Sequence, residues 1–210
     1  MPAKNNLRAQ VTHKMFETVK QKKRQDALAL LKADHQEATE LYRQFFKARS
    51  AARKTEIAGQ LCLALSVHMR IEEDIFYPAL QEAFKDQADG KQLIPEARVE
   101  HASLKRLITE VESAPENVEF EARVQVMCEY TRHHVKEEET EVFPKARKAG
   151  LDLTDLGEKL ARRKLDLLDE MATKAAHRVR PPKPSTLFKQ RAGRGRAARG
   201  NASRAHHARG

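Results

Sequence analysis

The chain has 210 residues, of which 40% are hydrophobic and 33% charged, with eight Gly and no Trp. No apolar run approaches the roughly 18 residues needed to cross a bilayer, and two cysteines, Cys62 and Cys128, are too few for a disulfide framework. A membrane span and a disulfide scaffold are thereby excluded. The composition fits a water-soluble helical domain with tails.

The net charge of +10 is unevenly spread. Residues 1–25 carry seven basic side chains and one acid. Residues 26–171 carry 22 basic and 29 acidic, and residues 172–210 carry eleven basic and no acid. The body is mildly acidic and the ends are basic, so an anionic partner would meet the ends alone. The expected organisation is a basic arm over 1–25, a helical domain over 26–150, a further helix over 151–174 and a basic disordered tail over 175–210. The polar start Met1 to Asn6 is followed by no signal-like apolar stretch, and the few cysteines suit a reducing compartment. A cytoplasmic location is expected, and the sequon at Asn201 carries little weight.

Four helices are expected in the domain. The first spans about Asp26 to Ala48, with Leu31, Ala38, Leu41 and Phe45 on its inner side. The second spans about Thr55 to Phe84, and Asp89-Gly90 breaks the chain after it. The third opens near Pro95, a favoured first helical position, and runs to about Ser113, before a break at Pro115 to Asn117. The fourth spans about Val118 to Ala149, with Gly150 as its C-cap. Short connections make neighbours antiparallel, which gives an all-α, up-down-up-down four-helix bundle. Beyond it, Leu156, Leu160, Leu167, Leu168 and Met171 recur at helical spacing between Asp155 and Lys174. From Arg180 the chain is rich in Arg, Gly, Ala and Pro and lacks apolar periodicity, so it reads as disordered.

A shift of 66 residues superposes one half of the domain on the other. His35 falls on His101, Cys62 on Cys128, His68 on His134, Glu72 on Glu138, Glu73 on Glu139 and Pro78 on Pro144. Leu41 falls on Leu107, Leu61 on Met127 and Tyr77 on Phe143. Two copies of one helical hairpin therefore build the bundle.

His68 with Glu72, and His134 with Glu138, are four residues apart, which puts each pair on one helical face. His35 and His101 stand singly on the first and third helices. Four imidazoles and two carboxylates can then converge in the core. Imidazole with carboxylate suits iron, manganese or zinc. Six ligands exceed what one tetrahedral zinc takes, whereas two bridging carboxylates with two His per ion make a dimetal centre of the kind built in helical bundles. Open positions on such ions would take dioxygen, peroxide or nitric oxide. A lone His-x-x-x-Glu is most often a surface pair. Its duplication, each copy with a His 33 residues upstream, argues for metal, since unpaired ionisable groups facing a core cost several kcal/mol. The competing reading is a bundle that has kept the residues and lost the ion.

Glu73 and Glu139 lie about 100° around the helix from Glu72 and Glu138, which suits a solvated or supporting role. His133 has Val67 as its repeat equivalent, which argues against a ligand role. Cys62 and Cys128 read as small buried hydrophobes. Tyr42, Tyr77 and Tyr130 could serve as redox or hydrogen-bond neighbours of the centre, with core packing the simpler role. Pro78 and Pro144, six residues beyond Glu72 and Glu138, should bend or end their helices.

These residues resemble the hemerythrin-like HHE cation-binding family over about Asp26 to Ala149. The likeness is carried by Asp34-His35, by His68 to Glu73 with Phe76-Tyr77-Pro78, by Glu100-His101, and by His134 to Glu139 with Phe143-Pro144. It implies an up-down four-helix bundle with a non-haem di-iron centre at His35, His68, Glu72, His101, His134 and Glu138. The pattern departs from the oxygen carriers, which place a further His where Lys105 stands and use His-xxxx-Asp where this chain has His134-xxx-Glu138. It is similar to a bacterial branch with the order His, His-xxx-Glu, His, His-xxx-Glu.

The expected function is a di-iron protein that binds or senses dioxygen, nitric oxide or iron itself. The alternative is a catalase-like or peroxidase-like enzyme acting on peroxide, although no separate general acid or base stands out. The basic tail, with Arg194 and Arg196, is either a nucleic-acid contact through phosphates or a solubilising arm.

Overall fold

The structure, a computed structural model, describes residues 25–85, 92–114 and 118–179, with side chains as far as residue 173. The N-terminal arm, the breaks at Asp89-Gly90 and Pro115 to Asn117, and the tail from Arg180 lie outside the described residues.

Helix α1 spans Ala27–Lys47 and α2 spans Ala51–Ile71. A short wide turn, Glu72–Phe76, leads into α3, Tyr77–Phe84. Helix α4 spans Leu93–Ser113 and α5 spans Val118–Glu137. A second wide turn, Glu138–Val142, leads into α6, Phe143–Lys148, and α7 spans Leu153–Val179. The repeat is visible in the backbone: α1 and α4 are offset by 66 residues at both ends, as are the two wide turns.

The helices start and stop where local chemistry dictates. Asp26 caps α1 by accepting from the Ala29 N–H at 2.7 Å, and Ser50 caps α2 by accepting from the Arg53 N–H at 3.3 Å. Such caps contribute about 1 kcal/mol each. The Ser50 cap starts α2 four residues earlier than the expected Thr55. Gly150 ends the bundle with φ +73°, a left-handed conformation that glycine adopts without strain.

The prolines act differently from the simple bend expected of them. The Tyr77 N–H donates to the Glu72 carbonyl, and the Phe143 N–H to the Glu138 carbonyl, in each case five residues back. Pro78 and Pro144 follow directly. A proline has no N–H and its ring crowds the carbonyl four residues before it. Widening the turn by one residue relieves that crowding, and the helix continues. Such wide turns recur at functional sites.

The interior has two apolar clusters. One gathers Leu28, Leu31, Val67, Ile71, Phe76, Tyr77 and Phe143 with Leu156, Leu160, Leu167 and Leu168 of α7. The other gathers Leu41, Phe45, Leu61, Cys62, Leu104, Val124, Met127 and Cys128. Each fully buried Leu or Phe contributes about 1.5–3 kcal/mol. Both cysteines are buried among hydrophobes, as expected. Tyr130 is instead 49% exposed, because its position on α5 faces away from both clusters.

Helix α7 packs across α1, α2 and the first wide turn. Its approach is close at Gly157, where an added Cβ would lie 2.3 Å from the Gln25 carbonyl oxygen. Only glycine fits there. Among the described residues no helix is long and apolar enough to cross a membrane.

Candidate metal centre

Between the two apolar clusters lies a polar layer. His35 comes from α1, His68 from α2, His101 from α4 and His134 from α5, while Glu72 and Glu138 open the two wide turns. All six are buried. The structure therefore brings together the six expected ligand residues.

The contacts within the layer are close. His35 Nε2 lies 3.2 Å from His68 Nε2, and His101 Nε2 lies 3.0 Å from His134 Nε2. Glu72 Oε2 is 3.3 Å from His68 Nε2 and 3.4 Å from His101 Nε2, so it stands between the halves. Glu138 Oε2 is 3.3 Å from His35 Nε2 and 3.8 Å from His134 Nε2. Two donor groups emerge, one of His35, His68, Glu72 and Glu138, the other of Glu72, His101 and His134, each with its atoms within 4.8 Å of one another.

Three of the four imidazoles are hydrogen-bonded from behind by a carboxylate. His35 Nδ1 lies 2.9 Å from Glu139 and His101 Nδ1 lies 3.0 Å from Glu73, so these two supports cross between the halves. His134 Nδ1 lies 2.7 Å from Glu100, and His68 Nδ1 faces Asp34 at a longer 3.7 Å. A carboxylate behind Nδ1 places the ring proton there. The tautomer is assigned from these partners. The Nε2 lone pairs then all point into the layer.

That arrangement lacks positive charge. Both oxygens of Glu72 and Oε2 of Glu138 are buried without a hydrogen-bond partner. Burial, and then the charge of Glu138, push the Glu72 carboxyl well above the ordinary glutamate range. Burial also opposes charge on Glu138, but the imidazoles of His134, His35 and His68 outweigh it and hold that carboxyl low. Burial brings His68 down to about 4 against the pull of Asp34. It also lowers His101, whereas Glu138 and Glu139 overcome burial at His35 and raise it. Lone pairs facing lone pairs at these distances repel unless a proton or a metal cation sits among them. Two ligands at right angles on one ion, with bonds of about 2.1 Å, stand about 3.0 Å apart. The closest separations in the layer match that spacing, so the residues fit a metal centre.

Four further residues complete the site. Asp34 and Glu100 were visible only as neighbours of His35 and His101, yet their own spacing of 66 marked them as a third repeated acidic pair. The Tyr77 hydroxyl donates to Glu138 Oε1 at 2.9 Å and lies 3.1 Å from His101 Nε2. Of the two roles open to Tyr77, this is the hydrogen-bond neighbour rather than the simpler core packing. In an α-helix, residues five apart differ by about 140°. The wide turn brings Tyr77 back to the face of Glu72. Its repeat equivalent, Phe143, stacks on His35 at 5.8 Å between centroids. Lys164 of α7 is buried and donates to Asp34 Oδ1 at 2.5 Å. Its charge, overcoming burial, holds the Asp34 carboxyl at about 2.

Lys105 does not enter the layer. Its ammonium pairs with Glu73 at 2.6 Å on the rim, about half exposed, so the His101 half gains no further nitrogen. Tyr42 is buried with its hydroxyl 3.0 Å from Thr131 Oγ1, away from the layer.

Fold and layer define a helical bundle built to hold cations between imidazoles and carboxylates. The family described as "Hemerythrin HHE cation binding domain" matches residues 26–146, and the chain belongs to that family. It is similar to the crystal structure of a hemerythrin HHE cation-binding domain-containing protein from Mycobacterium kansasii. That likeness has a TM-score of 0.62 and 25% identity, and covers 74% of this chain and 95% of the other. It is also similar to a protein named DNA nickase from Nostoc sp. (strain PCC 7120), 25% identical over 115 residues. That match covers 54% of this chain and 31% of the nickase, so the chain spans about a third of that relative.

Proposed function

We propose that the polar layer holds two iron ions, one against His35 and His68 and one against His101 and His134, with Glu72 and Glu138 shared. We infer further that the centre binds or senses a small ligand, dioxygen, nitric oxide or iron itself. The observation that carries this reading is the uncompensated layer: buried carboxylate oxygens without partners, surrounded by inward-facing imidazole nitrogens. Bound iron supplies redox chemistry and open coordination positions. The chain supplies the rest. Glu73, Glu100 and Glu139 fix the ring protons of His101, His134 and His35 on the outer nitrogens, and Asp34 faces the outer nitrogen of His68. The two apolar clusters flank the layer. The Tyr77 hydroxyl, its oxygen 2.9 Å from Glu138 Oε1, holds a proton at the layer. The outward position of Lys105 favours sensing over reversible oxygen carriage.

Metal analysis and the visible spectrum of the full chain, purified in air, test this reading. About two irons per chain, the count a carboxylate-shared pair requires, support it. One zinc, one manganese, or no metal after anaerobic Fe(II) loading overturns it.

A second reading is a peroxide-handling enzyme. The Tyr77 phenol beside Glu138 and His101 favours it, because a phenol can pass a proton and an electron to the centre. Oxygen release from peroxide by the iron-loaded chain, lost in His68→Ala, would select it. Stable ligand binding without turnover would select the sensor.

Along the chain, the proposed division of labour is metal chemistry in 26–150, a supporting helix over 151–174 and polyanion contacts through 175–210, in the cytoplasm. The charge of the tail and the likeness to a protein named a nickase support a nucleic-acid partner. Binding that persists after deletion of 180–210, or that is absent at low salt, would sink the tail's role.

A further inference from the structure

The two halves of the bundle treat the approach to the centre differently. In the first half the positions leading to the layer are Leu30, Val67, Ile71 and Ile75. Leu30, Val67 and Ile71 are buried members of the cluster that takes in α7, and Ile75, partly buried, packs against it. Their equivalents 66 residues on are Glu96, His133, Glu137 and Glu141. There a cavity of about 80 Å³ runs in from the surface. It is lined by Glu96, Glu100, Glu137 and Glu141 and ends on His134 and Glu138, and no Lys or Arg lines it.

Two observations make this more than an uncovered polar face. His133 Nε2 lies 3.5 Å from Glu100 and 3.2 Å from Glu137, so an imidazole and two carboxylates converge at the mouth as a second possible cation site. At the inner end stands Glu138, 1% exposed, whose Oε2 has no hydrogen-bond partner. The path thus leads from one set of cation donors to another. Glu100 touches both, accepting from His134 Nδ1 through Oε2 and facing His133 through Oε1.

We propose that Glu100, His133 and Glu137 form an outer divalent-cation site at the mouth of this acidic cavity, through which the centre is loaded from the His134 side. The inference rests on the metal-centre reading. The absence of a repeat equivalent for His133, which argues against membership of the symmetric core, is what this role requires, because the equivalent positions of the first half are the hydrophobic Leu30, Val67, Ile71 and Ile75. Carboxylates in a cavity that no Lys or Arg lines concentrate divalent ions at the mouth. Carboxylate and imidazole ligands then pass the ion inwards without a change of ligand class.

The test uses the full apo chain and Co(II), with uptake followed by stopped-flow visible absorption and final stoichiometry by titration. Glu137→Gln with His133→Ala should slow loading by about tenfold or more and leave the tightly held Co(II) per chain unchanged. Both side chains are substantially exposed, at 38% and 65%, so the fold should survive, which circular dichroism checks. Glu82→Gln, an equal loss of charge on an exposed face of α3, should load at the wild-type rate. A double variant that loads as fast as wild type overturns the proposal, as does equal slowing in Glu82→Gln. A wild-type chain that takes up no Co(II) is a different result, and overturns the centre itself.

Discussion

Lys164 and Asp34 form a buried ion pair across 130 residues of sequence, with Lys164 Nζ donating to Asp34 Oδ1. The other oxygen of Asp34 faces His68 Nδ1. Helix α7, which belongs to neither copy of the repeat, thus supports one imidazole of the centre. The equivalent support in the other half, Glu100, has His133 in place of a buried ammonium.

Removing one partner of that pair should be costly. Lys164→Met leaves the Asp34 carboxylate buried and uncompensated, and loses about 3–5 kcal/mol of stability. Adding Asp34→Asn should restore much of it. Urea denaturation of the apo chain checks both. A Lys164→Met loss under about 1 kcal/mol, the scale of an exposed pair, would place the ion pair in solvent.

The same pair sets an acid limit. The Asp34 carboxyl is held at about 2 in the fold, against an ordinary value of 3.8. A depressed carboxyl stabilises the fold above its unfolded value and loses that contribution as pH falls through the folded one. Stability of the apo chain should therefore decline between about pH 4 and pH 2. In Lys164→Met with Asp34→Asn that part of the decline should vanish.

Tyr77→Phe makes the two halves alike at this position, since Phe143 already stands in the other. Glu138 Oε1 loses a hydrogen bond, which for a charged acceptor is worth about 1.5–3 kcal/mol. The fold and the metal count should persist. Turnover of peroxide, or affinity for nitric oxide, should change by more than tenfold if the phenol acts at the centre, that being about 1.4 kcal/mol. Identical ligand behaviour would return Tyr77 to packing alone.

The six residues of the layer were legible because duplication converts a weak motif into a strong one. Four helices and their order followed from apolar period and short breaks. What was not legible has physical causes. Tyr77 was misplaced because an α-helical wheel puts it about 140° from Glu72, while Pro78 forces a wide turn that restores its phase. The supports of His35 and His101 cross between the halves, so spacing within one half could not pair them with Glu139 and Glu73. Lys164 lies four residues from both Leu160 and Leu168, inside the apolar stripe of α7. A lysine in that stripe was the signal, but its partner Asp34 is distant in sequence.

Docking of α7 depends on Gly157. A Cβ there would meet backbone at Gln25 and Ala27 rather than a side chain that could swing aside. Gly157→Ala should lift the start of α7 from the start of α1 and cost about 1–3 kcal/mol. Gly59, where an added Cβ meets nothing within 4 Å, is the internal comparison. Gly59→Ala should be neutral or stabilising by up to about 1 kcal/mol, because alanine favours a helix interior. Thermal unfolding of the two variants should move in opposite directions.

Glu72→Gln separates a carboxylate kept for metal from one kept for the fold. Both Glu72 oxygens are buried without partners, and burial with the Glu138 charge already drives its carboxyl towards the neutral form. In the apo chain the amide removes a like-charge conflict, so stability should stay level or rise. In the metal-loaded chain the shared ligand is lost. Ligand binding stabilises by about 2.7 kcal/mol at a hundred times Kd, and that gain should shrink or disappear in the variant. The measurement is paired thermal scans, with chelator and with Fe(II) under anaerobic conditions. Opposite signs in the two states assign Glu72 to the metal. Destabilisation of the apo chain by more than about 1 kcal/mol would instead mean that a neutral, hydrogen-bonded carboxyl serves the fold itself.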